Sequence, residues 1–184
     1  MDRIVKKGEA TSLEQQVVAA MNEVIAAAEN KAALDKLKIT GVKEADANGA
    51  KVLIVAVPYK QVGVYHQVQA QLIPELEKKL DGSQVVIVGK RRAFPKVCEA
   101  GRRYRSIRPN GRTLKAVNEA LLDDVVFPTS IVGKRVHYDL KGGQTQIVFL
   151  DQNDKTRVEE RLVGFSAAYN KLTGLKTVFQ VAEH

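Results

Sequence analysis

The segment at residues 52–57 constrains the fold most strongly, because all six of its residues are apolar. A strand with two apolar faces has to be covered on both of them, so this segment predicts a buried central strand. Residues 39–47 form another strand-like pattern, and the intervening Asn48-Gly49 favours a tight hairpin turn. The sequence therefore predicts a β-hairpin inside a layered fold.

Four longer segments repeat apolar residues at steps of three and four, which is the period of an α-helix packed against a core. These predicted helices span about residues 11–30, 64–80, 114–125 and 158–172. A short helical turn is expected near residues 32–37. Helices therefore precede and follow the hairpin, as the covered strand requires.

Pro74 falls inside the second predicted helix, where a proline removes one backbone hydrogen bond and clashes with the preceding turn. The sequence thus predicts either a kink or a new helix that starts near Pro74. Thr113 is a plausible N-cap for the third predicted helix. Asp81-Gly82 and Gly174 are typical residues for ending the second and fourth predicted helices.

Residues 84–88 and 177–181 read as single strands, and residues 134–140 and 144–150 as a second hairpin. The order helix, strand, strand, helix, strand therefore occurs twice, which suggests an internal structural duplication as a hypothesis. The predicted fold class is mixed α/β (α+β), with antiparallel hairpins and a mixed sheet packed with about four helices. We expect a single domain over residues 1–184.

The positive charge is concentrated in one part of the chain. The formal net charge is +8, yet residues 90–115 alone contain ten Lys or Arg residues and one Glu, a net charge of +9. The rest of the chain carries a net charge of −1, and seven of the eleven arginines lie in this window. Glycines and prolines interrupt every periodic pattern there, which predicts a long basic irregular loop at residues 89–112, inserted between a strand and a helix.

Arginine enrichment favours nucleic acid as the partner, since the guanidinium group grips phosphate oxygens with two donors and stacks on bases. Aromatic rings among such cations offer platforms for unpaired bases. Two alternatives remain open: a basic loop with no specific partner, and a nuclear-import signal. The predicted RNA-binding residues are Lys90, Arg91, Arg92, Phe94, Lys96, Arg102, Arg103, Tyr104, Arg105, Arg108, Arg112 and Lys115.

The motifs of common enzyme classes are absent from the sequence. No two glycines are three residues apart, so the phosphate-cradling Gly-rich loops and the Gly-x-x-Gly clamp are missing. None of the three histidines has a base or a nucleophile nearby in sequence. The acid pairs Asp123-Asp124 and Glu159-Glu160 are interpreted as solvated surface, because adjacent residues of a helix point apart. The sequence therefore predicts a protein without a catalytic site.

The sequence also lacks the patterns that indicate metal-binding sites and membrane spans. The single Cys98 and the three histidines lack the spacing of metal ligands. No apolar run approaches the ~20 residues that span a bilayer. We therefore expect no metal, no cofactor, no small-molecule substrate and no membrane span.

Several short motifs, in their order and spacing, carry a family resemblance that runs from Ile4-Val5-Lys6 to the terminal strand. They are Glu75-Leu76-Glu77-Lys78-Lys79, Arg91-Arg92 with Pro95-Lys96, Arg112-Thr113-Leu114, Val126-Phe127-Pro128, Ile131-Val132-Gly133-Lys134-Arg135 and Tyr169-x-Lys171-Leu172-Thr173-Gly174. With these motifs the chain resembles the eukaryote-specific S-seven family of small-subunit (40S) ribosomal proteins.

The resemblance implies an α/β protein that binds small-subunit ribosomal RNA, contacts neighbouring ribosomal proteins and is needed for subunit assembly. It also implies a location in cytoplasmic ribosomes, and in the nucleolus during assembly. Residues 97–101 dilute the basic segment, so its RNA contact is either one continuous track or two clusters, at residues 90–96 and 102–115. An off-ribosome RNA-binding assembly factor and a protein-interaction adaptor remain as alternatives.

Overall fold

The computed structural model describes residues 3–5, 11–27, 37–47, 49–94, 109–140 and 142–182. The four long helices in these ranges are α1 (Ser12–Ala27), α2 (Val62–Lys79), α3 (Leu114–Val126) and α4 (Leu162–Thr173). The strands are β1 (Gly41–Ala47), β2 (Ala50–Pro58), β3 (Gln84–Lys90), β4 (Ile131–Tyr138), β5 (Gln144–Leu150) and β6 (Lys176–Val181). Short helical turns at Tyr59–Gln61, Gln152–Asp154, Lys155–Val158 and Glu159–Arg161 precede α2 and α4.

The strands form two three-stranded mixed sheets with the same topology. In the first sheet, β2 is central and pairs antiparallel with β1 and parallel with β3. In the second sheet, β5 is central and pairs antiparallel with β4 and parallel with β6. Each sheet is thus a hairpin followed by a helical crossover to a parallel strand, which confirms the predicted mixed α/β class. The shared topology agrees with the repeated element order on which the duplication hypothesis rests.

Both faces of β2 are buried, as its apolar sequence predicts. Leu53 and Val55 pack with α1 and α2 in one hydrophobic cluster. Val52 and Ile54 belong to a second cluster, which also contains side chains of α3, α4 and the second sheet. Leu122 and Leu150 illustrate this second cluster, since each is 0% exposed. The central strand therefore joins the two halves of the structure, because each of its faces contributes to a different core.

Helix α2 continues through Pro74, so the predicted restart near that residue is wrong. Tyr65 and Leu72 before the proline and Leu76 after it are all buried in the first cluster, and this packing holds one continuous helix. The proline itself is exposed, which lets solvent satisfy the carbonyl group left without its donor. Of the described residues, none belongs to a helix long and apolar enough to cross a membrane.

The predicted ends of the helices are largely confirmed. Asp81 and Gly82 follow α2 with φ angles of 54° and 73°, and Gly174 ends α4 with a φ of 75°. The predicted turn near residues 32–37 falls outside the described residues except for its last position. Residues 28–30, the predicted end of the first helix, also lie outside them.

Candidate RNA-binding surface

The basic segment predicted as a loop at residues 89–112 follows β3, at the carboxyl ends of two parallel strands; Gly89 and Lys90 still belong to β3, and residues 95–108 lie outside the described residues. Pro58 at the end of β2 is the register partner of Lys90 at the end of β3. Tyr59 and Arg91 follow directly, so an aromatic ring and the first arginines of the loop are brought to the same edge of the sheet. This edge of an open α/β sheet is a common place for ligand binding.

Arg91 anchors the start of the loop to α3. Its Nη2 donates to Oδ1 of Asp124 at 3.0 Å, and its Nη1 donates to Oδ2 of the same carboxylate. The backbone N–H of Gly89 donates to that Oδ2 at 2.9 Å. The ion pair is largely removed from water, because the Arg91 and Asp124 side chains are 12% and 5% exposed. These contacts therefore fix the position of Arg91, at the start of the basic segment, against α3.

The interpretation of Asp123-Asp124 as solvated surface is wrong for the second residue. Asp123 is exposed, whereas Asp124 lies on the buried side of α3 with Val125 and Val126. Adjacent helix residues do point apart: Asp123 faces solvent, and Asp124 faces β3. No signal in the local sequence marks this carboxylate, since its partner Arg91 is 33 residues away in the chain.

Tyr59 brings the two ends of the loop together and was missed by the sequence analysis. The guanidinium carbon of Arg91 lies 5.3 Å from the centroid of its ring, and that of Arg112 lies 5.5 Å away. Such distances allow cation–π attraction. Tyr59 as a whole remains 56% exposed. The only available signal was an aromatic residue directly after a buried strand, and it gains meaning once β2 and β3 are known to be parallel neighbours.

Backbone contacts close the loop at Phe94 and Arg112. The N–H of Phe94 donates to the carbonyl oxygen of Arg112 at 2.9 Å. Thr113 then caps α3, as predicted, because its Oγ1 accepts from the N–H of Ala116 at 3.2 Å. Phe94 is 39% exposed, and the guanidinium carbon of Arg92 lies 5.7 Å from its ring centroid. The two ends of the loop are thus held side by side.

The predicted RNA-binding residues fall into three groups. Lys90, Arg92, Phe94 and Lys115 are exposed, and no acidic side chain within the described ranges forms an ion pair with any of the three cations among them. Arg91 and Arg112 are partly buried around Tyr59. The remaining six residues, Lys96, Arg102, Arg103, Tyr104, Arg105 and Arg108, lie outside the described residues, as does the choice between one track and two clusters.

This arrangement offers free cations and exposed rings at one edge, which are the groups that contact phosphates and unpaired bases. The guanidinium group of Arg91 is paired with the carboxylate of Asp124 and is therefore less available for phosphate contact than the exposed cations. Within the described part of the chain, no cluster of three or more His, Cys, Asp or Glu side chains could hold a metal ion.

Replacing Gly89 by Ala tests how tightly this anchor is packed. A Cβ atom at Gly89 would lie 2.7 Å from Cγ2 of Val62, 3.0 Å from Nη1 of Arg91 and 3.1 Å from Oδ2 of Asp124. We expect Gly89→Ala to lower the free energy of unfolding by about 1–3 kcal/mol, measured by urea denaturation. Gly63→Ala is the matched control, because nothing lies within 4 Å of a Cβ there. Equal stability of the two variants would contradict the packing described.

The described residues define a two-sheet α/β protein with a cationic surface where a basic segment leaves a strand end. Over residues 3–181 the sequence matches the family described as ribosomal protein S7e, and the chain belongs to that family. The resemblance found in the sequence motifs is thereby confirmed.

Individual relatives match over nearly their whole lengths. Small ribosomal subunit protein eS7 of Candida albicans is 42% identical over 172 residues, which cover 93% of this chain and 92% of the relative. Protein eS7A of Saccharomyces cerevisiae is 42% identical over 173 residues, covering 93% and 90%. Protein eS7 of Manduca sexta is 38% identical over 184 residues, covering 98% and 97%.

Proposed function

We propose that this protein is a structural component of the small (40S) ribosomal subunit and acts there without catalysing a reaction. The observation that carries this proposal is membership of the S7e family over residues 3–181, together with relatives named small ribosomal subunit protein eS7. Because the matched segment covers both sheets and all four long helices, the proposal applies to the whole described fold.

Within the subunit, the basic loop at residues 89–112 binds ribosomal RNA, and the rest of the domain contacts neighbouring ribosomal proteins. Charge supports this division, since residues 90–115 carry a net charge of +9 and the remainder carries −1. Geometry supports it as well, because Lys90, Arg92 and Lys115 are exposed at the two ends of the basic segment, and the Arg91–Asp124 ion pair fixes the first of these ends. Phosphate contacts of this kind fix position and orientation on RNA.

The protein works in cytoplasmic ribosomes and joins the subunit during its assembly in the nucleolus. An off-ribosome assembly factor and an interaction adaptor are the competing functions. Sedimentation separates the three, because a structural component stays bound to mature particles whereas a factor or adaptor dissociates.

The test is sedimentation of a lysate from cells that express the tagged chain, followed by a moderate-salt wash of the small subunits. We expect the chain to remain at one copy per small subunit, since many phosphate contacts together resist moderate salt. Absence from mature subunits would refute the proposal. Complete release by the wash would favour an assembly factor.

A further inference from the structure

Strand β4 has a free edge and lies outside both hydrophobic cores. It is an edge strand of the second sheet, and β5 is the only described strand that pairs with it. None of its eight residues is buried, whereas each of the other five described strands contains at least one buried residue. No backbone hydrogen bond joins the opposite side of β4 to any described residue. Such an edge is a template for pairing with another strand.

Exposed apolar side chains are concentrated on β4 and on the turn that follows it. Val132, Val136, Tyr138 and Leu140 are all exposed, and Tyr138 is 71% exposed. They are four of the eleven large apolar side chains that are exposed in the described part of the chain. Single exposed apolar residues are ordinary, but a group of them along an unpaired strand edge is typical of a surface that another chain covers.

Two cations in the middle of β4 lack a counter-charge. Lys134 and Arg135 are exposed, and no acidic side chain of the described residues forms an ion pair with either. Asp139, the nearest acidic residue in sequence, instead has its Oδ1 atom 3.4 Å from Nε2 of His137. The guanidinium carbon of Arg135 lies 5.7 Å from the ring centroid of Phe149, a contact that does not neutralise its charge. Charge complementarity therefore calls for a partner with carboxylates.

These features favour protein over RNA as the occupant of the edge. RNA contacts depend on many cations, and β4 has two, against ten basic residues at positions 90–115. Phosphates would also leave the exposed valines and the free backbone groups of the edge without suitable contacts. An extended protein segment can pair with that backbone and bring apolar side chains to the same surface, which is the recognition mode called β-strand addition.

The register of β4 with β5 defines the partner further. Pairing is regular over residues 134–138, which is long enough for a short additional strand. Successive strand residues point to opposite faces, so Lys134 and Val136 lie on one face of the sheet and Arg135 lies on the other. A complementary segment therefore carries an acidic side chain on each of its faces, and an apolar one opposite Val136.

We infer that the free edge of β4 binds an extended acidic segment of a neighbouring ribosomal protein, which adds to the second sheet as a fourth strand. Its carboxylates lie beside Lys134 and Arg135. The location of that partner in the small subunit rests on the proposed function. The free edge and its unpaired cations are properties of this chain alone.

Amide hydrogen exchange tests the added strand. The isolated full chain is compared with the same chain in purified small subunits, and exchange is followed by mass spectrometry. We expect residues 131–138 to exchange about tenfold more slowly in the subunit, because the partner strand pairs with the free edge. Residues 144–150 are the control, since β5 is already paired on both sides and should change little. Unchanged exchange of residues 131–138 would overturn the inference.

Photo-cross-linking in the same subunits identifies the partner. A benzophenone amino acid replaces Tyr138, which is itself aromatic and exposed. The same group at Val163 is the control, because Val163 is an exposed apolar residue on α4. We expect position 138 to capture a protein peptide with an acidic segment, and position 163 not to capture that peptide. Capture of RNA, of a second copy of this chain or of nothing at position 138 would overturn the inference.

Reversing the two charges tests their complementarity to the partner. The captured peptide is synthesised and titrated into the isolated full chain. The double variant Lys134→Glu with Arg135→Glu should bind it roughly tenfold less tightly or worse, because each new carboxylate then faces a like charge. Lys43→Glu with Lys171→Glu is the matched control, since both lysines are exposed and lie outside β4. Equal affinities of the two double variants would contradict the assignment of Lys134 and Arg135.

Failure of the proposed function gives a different result from failure of this inference. If the chain is absent from small subunits, the proposed function fails. Cross-linking from position 138 in intact cells then decides the role of the edge. Capture of an acidic protein segment, lost in the variant Lys134→Glu with Arg135→Glu, would support it, and capture that is unaffected by the charge reversal would overturn it.

Discussion

Replacing Asp124 by Ala is expected to lower the free energy of unfolding by about 3–5 kcal/mol, the largest effect that we expect of any single substitution. The substitution leaves the guanidinium group of Arg91, which is 12% exposed, without its counter-charge. It also removes the acceptor of the Gly89 N–H, which lies 2.9 Å from the carboxylate. Urea denaturation of the purified variant measures the change.

The neighbouring Asp123 provides a matched control, because it is an exposed carboxylate on the same helix. Asp123→Ala should change the free energy of unfolding by no more than about 0.5 kcal/mol. The double variant Arg91→Met with Asp124→Leu should regain much of the lost stability, since it leaves no unpaired charge. If Asp124→Ala were no more harmful than Asp123→Ala, the ion pair would not be the anchor of the loop.

The second large effect concerns RNA affinity. If about six of the ten basic groups neutralise phosphates, the salt slope on single-stranded RNA should be roughly −4. Changing Arg102, Arg103 and Arg105 together to Glu removes three of these contacts. The salt dependence should therefore become weaker, with a slope of about −2. Affinity at about 0.15 M salt should fall by about 50-fold or more. Filter binding or fluorescence anisotropy over a salt series measures both quantities.

A control triple variant distinguishes the effect of the loop's own charges on RNA affinity from the effect of net charge. Lys43, Lys78 and Lys171 are exposed and lie outside the basic window, so changing them to Glu alters the net charge by the same amount. This control should retain most of the RNA affinity. The control variant should unfold at the same urea concentration as the parent chain, because Lys43, Lys78 and Lys171 are exposed. The arginine variant should do the same, since the proposal assigns these three arginines to RNA contact. Equal losses of affinity in both variants would mean that RNA responds to net charge alone.

Much of the fold follows from local pattern. The apolar run at residues 52–57 correctly indicates a strand that is buried on both faces, and the threonine before α3 correctly indicates its cap. The division into two sheets could not be predicted, because the pairings of β2 with β3 and of β5 with β6 join strands separated by a helix. The restart at Pro74 was wrong because local helix chemistry does not include the packing of Leu72 and Leu76 on either side.

In the candidate site, too, some features follow from the local sequence and others do not. A count of charges along the chain predicts the basic loop, since the cations are close together in sequence. The residues that position the loop are not contiguous, because Arg91 and Asp124 meet across 33 residues. Tyr59 contacts Arg112 across an even longer stretch of chain. Such contacts depend on the parallel pairing of β2 with β3 and on the docking of α3, which no local motif encodes.

Electron cryomicroscopy of purified small subunits that contain this chain tests the central claim most directly. The account predicts one copy per subunit, with residues 90–115 lying against ribosomal RNA and with Lys90, Arg92 and Lys115 within reach of phosphate groups. A subunit in which this segment faces solvent, or contacts protein alone, would contradict it.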